Sequence, residues 1–129
     1  MQELLAVVIA VRDGMTAEAS EHLRILVGLV REYAVPLGEA LCLTASAALN
    51  ASVGDYETAS LQLASVRAAA RFPFRSPVDA LVYRQTVRAV RDALDPETAA
   101  RCRTQGAATP IGMALDDQLR RLAATVEAG

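Results

Sequence analysis

The chain has 129 residues, of which 53% are hydrophobic, and a mean hydropathy of +0.25, enough for one domain with a sizeable core and too apolar for a disordered segment. A net charge of −2 and a pI near 5.4 argue against a general nucleic-acid binder, which needs an excess of basic charge to neutralise phosphates. Aromatic residues make up only 4%, Trp is absent and alanine is abundant, a composition that suits closely packed helices better than sheets.

In chain order, the first predicted helix covers residues 2–12 and is apolar around most of its circumference, with Leu4, Leu5, Val8 and Val11 among its apolar positions. Three coverings suit it: burial within the domain, a second chain (a homodimer or inter-domain face), or the remainder of a longer protein. It is too short for a membrane span, lacks a basic leader and runs into Arg12-Asp13, so it predicts neither a signal peptide nor an anchor. Thr16 is the expected cap of a second helix carrying Ala19, Leu23, Leu26, Val27 and Val30 at helical spacing and ending near Tyr33. Pro36 suits the first turn of a third helix through Leu41, Ala45, Ala48 and Leu49, which Gly54 stops. Asp55 caps a fourth helix, with Glu57 near its positive end and Ala59, Leu63 and Val66 as its buried stripe. After Phe72-Pro73-Phe74-Arg75, Ser76-Pro77-Val78-Asp79 opens a fifth helix by a cap, a first-turn proline and an acid that reaches back. Asp95-Pro96-Glu97 opens a short sixth, and Thr109-Pro110 opens an amphipathic last helix with Met113, Leu115, Leu119, Leu122 and Val126 on one side.

Three of these openings are versions of one motif. Gly14-Met15-Thr16-Ala17-Glu18-Ala19-Ser20, Gly54-Asp55-Tyr56-Glu57-Thr58-Ala59-Ser60 and Leu94-Asp95-Pro96-Glu97-Thr98-Ala99-Ala100 place an alanine at 19, 59 and 99, spaced by 40 residues each time. A period of that size predicts stacked helical hairpins, with the alanine where two helix backbones approach closely. The expected architecture is therefore all-α: one domain over 1–129, with hairpins over about 2–33, 36–72 and 76–105 and a capping helix over about 109–128.

Gly54, Asp55, Tyr56 and Ala59 resemble the Gly-Asp-Tyr-x-x-Ala turn of the tetratricopeptide repeat. The first and third copies depart from it with Thr16 and Pro96 at the aromatic position, and the period is longer than the family's usual one. The C-terminal third, with Arg91-Asp92-Ala93-Leu94-Asp95, Arg103-Thr104-Gln105-Gly106-Ala107-Ala108-Thr109 and Ala114-Leu115, is similar to the end of the helical-repeat region of large LuxR-type transcriptional regulators and signalling ATPases. Asp95, Gln105 and Ala108 stand where that pattern has Gly, Glu and Leu. The resemblance implies a repeat module of a transcriptional or signalling regulator, without the NTPase loop or the DNA-binding helix-turn-helix found beside it there.

Little in the sequence points to catalysis, and the expectation is a non-enzymatic protein with no cofactor. His22 is the only histidine, no metal-ligand spacing or phosphate loop is present, and Asp116-Asp117 are helix neighbours pointing about 100° apart. Cys42 and Cys102 read as two reduced, packed thiols of a cytoplasmic protein, with a disulfide as the minority case.

The sharper signal is arginine. Eight arginines face four acids between Arg67 and Arg103, whereas three face eight acids before Val66. Arg84, Arg88 and Arg91 form an i, i+4, i+7 stripe and Arg67 and Arg71 an i, i+4 pair on the preceding helix, so all five are candidates for one partner-binding groove. Aligned to the tetratricopeptide pattern, the Arg84 stripe falls on the concave face, with Thr44, Ala48 and Ala51 as a smooth wall beside it. Guanidinium forks there suit a carboxylate or phosphate, so the expected partner is a protein or acidic peptide segment, with no direct nucleic-acid or membrane binding. A solvated arginine face and a small-molecule-sensing helical domain are the alternatives.

Overall fold

The computed structural model describes residues 14–35, 37–69 and 77–128, and every element among them is a helix. The all-α class holds. The 2–12 helix with its candidate face at Leu4, Leu5, Val8 and Val11 lies outside the described residues, as do Arg71 and Pro36. No helix among the described residues is long and apolar enough to cross a membrane.

Helix α1 (Thr16–Glu32) buries Ala19, Leu23, Leu26, Val27 and Val30, the five positions its periodicity selects. Its cap differs from the expectation. Gly14 turns the chain at φ +75, Met15 takes the cap position without a side-chain bond, and Thr16 is already helical, its carbonyl accepting from Ser20 Oγ at 2.9 Å. A cap oxygen must precede the first turn, so a threonine inside that turn cannot supply it.

Helix α2 (Gly38–Ser52) is the hub, packed against α1 and three of the helices that follow, and is buried on nearly every side. Its Ala, Ser and Thr residues are small enough to let neighbours approach on all faces. Thr44 is buried, donating to its own helix at Ala40 O (2.9 Å), and Ala51 packs half-buried beside Ala47, Ala59 and Val90. With Thr44 buried and Ala48 and Ala51 half-buried, the three do not form an open groove wall.

Gly54 (φ +86) ends α2, and Asp55 caps α3 (Tyr56–Ala69), its Oδ1 accepting from Thr58 N at 3.3 Å. Helix α4 (Pro77–Ala93) lies on α2 and α3 and buries only Asp79, Thr86 and Val90. Asp95 caps α5 (Pro96–Ala107), accepting from Thr98 N at 3.1 Å; hydrogen bonding from the Thr98 side chain and then from its backbone N–H holds the Asp95 carboxyl below the ordinary value. Helix α6 (Ile111–Ala128) closes the core against α2, α3 and α1 through Ala114, Leu115 and Gln118.

Four buried polar side chains from three helices join at the centre. Ser46 Oγ and Asn50 Nδ2 both donate to Gln62 Oε1 (3.0 Å each), while Asn50 Nδ2 (2.9 Å) and Gln62 Nε2 (3.0 Å) donate to Gln118 Oε1. Among the described residues no buried side-chain nitrogen or oxygen lacks a partner, so the hydrogen bonds of the cluster offset its desolvation and fix the register of α6 on α2 and α3.

The packing over 77–107 departs from the expected pairing of consecutive helices. α5 lies mainly along α3, while α4 and α5 scarcely touch. Gly106 is the reason: a Cβ there would stand 2.2 Å from Leu61 O and 2.7 Å from Ala64 Cβ, so its absence lets the two backbones meet. The Glu57–Arg101 ion pair (2.5 Å), with Gly106 against Leu61 and Ala64 further along both helices, shows that α3 and α5 run parallel.

Candidate functional site: an arginine-rimmed cleft

Because α4 and α5 both rest on α3 but scarcely touch each other after the corner at Leu94-Asp95, a gap opens between them. Leu94 packs beside Ala59 and Val90 at that corner. The cleft has a volume of about 530 Å³, inside the usual range of roughly 300–1,000 Å³ for ligand sites. Its floor is α3, with Ser60, Leu63, Ala64 and Ala68; one wall is α4, with Tyr83, Val87 and Val90; the other is α5, with Ala99 and Ala107.

Arg67 from α3, Arg91 from α4 and Arg103 from α5 complete the lining, and all three are exposed. The ion pairs among the described residues lie elsewhere, joining Arg24 to Glu21, Arg31 to Glu39 and Asp116, Arg101 to Glu57, Arg120 to Asp117 and Arg121 to Asp55. Among the described residues no carboxylate lines the cleft. Three like charges around one apolar recess repel one another and focus a positive potential that attracts an anion.

The sequence-level set is thus regrouped. Arg67 and Arg91 reach the cleft; Arg84 and Arg88 are exposed on α4 but are not part of the lining; Arg71 lies outside the described residues. Arg103 was not among the candidates, although a signal for it exists: Ala99, Arg103 and Ala107 recur at four-residue spacing from the third motif alanine, which puts them on one face of α5. The alanines also differ in their surroundings. Ala19 and Ala59 are 0% exposed, whereas Ala99 is half-buried and faces the cleft.

Among the described residues the lining holds two hydroxyls, Ser60 and Tyr83, and no imidazole, thiol or carboxylate that could act as a base beside them. No cluster of three metal-binding side chains occurs among the described residues. Both cysteines are free and buried, and burial pushes the Cys42 thiol up to about 12 and raises that of Cys102. What the cleft can do is take an apolar group that carries an anion beside it.

A larger groove of about 1,230 Å³ runs between α1, α2 and α6, past Leu49, Asn50, Gln118 and Leu122. Its rim charges are already neutralised, Arg24 by Glu21 (2.5 Å) and Arg121 by Asp55 (3.1 Å), and Asn50 and Gln118 on its floor are hydrogen-bonded to each other. It expresses no preference for a ligand charge.

No protein-family model, no curated protein and no solved structure matches this chain.

Proposed function

We propose that this protein is a non-enzymatic interaction module of the tetratricopeptide-like kind, the repeat portion of a bacterial transcriptional or signalling regulator, which binds an acidic protein segment in the cleft between α4 and α5. Three guanidiniums from three helices, free of acid partners among the described residues and set around one apolar recess, carry the proposal. The repeat reading draws support from Gly14 and Gly54, both at positive φ, from the matching caps of Asp55 and Asp95, and from the buried Ala19 and Ala59.

Titration of the protein with a labelled acidic peptide at low and high salt tests it. Binding is expected to weaken with salt, since the contacts lie at an exposed rim. Arg103→Ala and Arg91→Ala each lower affinity, while Arg88→Ala leaves it unchanged. Affinity indifferent to salt and to Arg103→Ala would refute the proposal. The cleft volume also supports a second reading, a small-molecule sensor for an apolar carboxylate. Saturable, Arg103-dependent binding of a medium-chain fatty acid, with none of the peptide, would select it.

A further inference from the structure

The alanine of the second motif copy already meets a neighbouring helix. Ala59 is enclosed with Ala47 of α2 and Val90 of α4, and Ala19 of the first copy sits within the core shared by α1, α2 and α6. Ala99 of the third copy faces the cleft instead, because α4 diverges from α5 where a paired helix would have covered it. We infer that the cleft is completed by an amphipathic helix of a partner protein, its apolar face on Leu63, Val87 and Ala99 and its acidic flanks paired with Arg67, Arg91 and Arg103.

This inference rests on the proposed function and adds the conformation of the docked segment. An extended segment keeps its affinity through main-chain hydrogen bonds, as at the edge of a sheet. The cleft walls are helices whose own backbone groups are already bonded internally, so an extended segment would lay unpaired N–H and C=O groups against alanine, valine and leucine. A helix satisfies its own backbone and presents only side chains. Small residues on two sides, Ala64 and Ala68 on α3 and Ala99 and Ala107 on α5, allow the axis of an incoming helix to settle at the usual separation of about 8–10 Å. The rim fixes its polarity pattern: positive charge on all three helices and no acid among the described lining residues favour acidic residues beside an apolar stripe.

The test uses the full chain and two synthetic peptides of equal composition. One carries leucines at i, i+3, i+4 and i+7 flanked by glutamates; the other has the same residues reordered only to place a proline in mid-helix. The helix-competent peptide is expected to gain helicity on binding, seen by circular dichroism, and to bind at least about tenfold more tightly than the proline-broken peptide. Ala99→Leu, which fills the recess at a half-buried position, and Arg103→Ala each weaken that binding. Equal affinity of the two peptides, or binding without a gain in helicity, overturns the helical mode and leaves the acidic-segment function standing. Binding untouched by both Ala99→Leu and Arg103→Ala moves the helix off this cleft and also overturns the inference. Absence of binding by either peptide, with the thermal transition of the protein intact, removes the proposed function itself.

Discussion

Gly106 sets how closely α5 approaches α3, and with it the width of the cleft. A methyl group there meets main chain rather than a yielding side chain, with Leu61 O at 2.2 Å, so Gly106→Ala is expected to destabilise the fold by about 1–3 kcal/mol. Gly28, inside α1, has nothing within 4 Å of an added Cβ, and Gly28→Ala should stabilise by about 0.5–1 kcal/mol through helix propensity alone. Denaturant midpoints of the two variants should move in opposite directions; a shared direction would contradict the close approach at Gly106. Cys42 makes a second prediction at this scale. Burial raises its pKa in the folded chain from the ordinary 9.0 to about 12, so its contribution to stability is fully present below pH 9 and is lost as pH rises towards 12, because the unfolded thiol ionises first. The fall in unfolding midpoint from pH 8 to pH 10 should be smaller in Cys42→Ala than in the parent chain. An equal fall in both would show that the thiol is not buried as described.

Helices could be read from the sequence because their signals are local. The Asp55 and Asp95 caps, the proline opening α5 and the five buried positions of α1 all follow from spacing within a few residues. Thr16 misled by one residue, since a cap is defined by where the chain turns, and here Gly14 turns it early. How α4 and α5 pair was not legible at all: it depends on Gly106 meeting Leu61, residues 45 positions apart in the chain. The polar cluster was equally hidden, since Asn50, Gln62 and Gln118 look like ordinary surface amides until three helices bring them together. Gln118→Leu removes the acceptor of Asn50 Nδ2 and Gln62 Nε2, and leaving a buried donor unpaired costs about 1–3 kcal/mol. That loss should appear as a lower urea midpoint with faster amide exchange in α6 than in α3. An unchanged midpoint would mean that the cluster contributes nothing to the docking of α6.

At the scale of the whole molecule, the basic middle of the chain is visible in the distribution of arginines, but which face of α4 borders the cleft is not. A stripe at i, i+4, i+7 identifies a helix face without saying what lies beside it, and only Arg91 of Arg84, Arg88 and Arg91 borders the cleft. Arg103 enters because α5 leaves α4 and crosses to α3. Charge and shape then coincide at one place, whereas the larger groove between α1, α2 and α6 has its charges paired within the chain. Mapping backbone amide shifts by NMR as an acidic amphipathic peptide is added tests this directly. Perturbations should concentrate on residues 60–68, 83–91 and 99–107, and vanish in an Arg67→Ala, Arg103→Ala double variant. Shifts centred instead on Thr16–Arg24 and Leu119–Ala123, or on the Arg84 and Arg88 face of α4, would contradict the assignment of the cleft as the binding site.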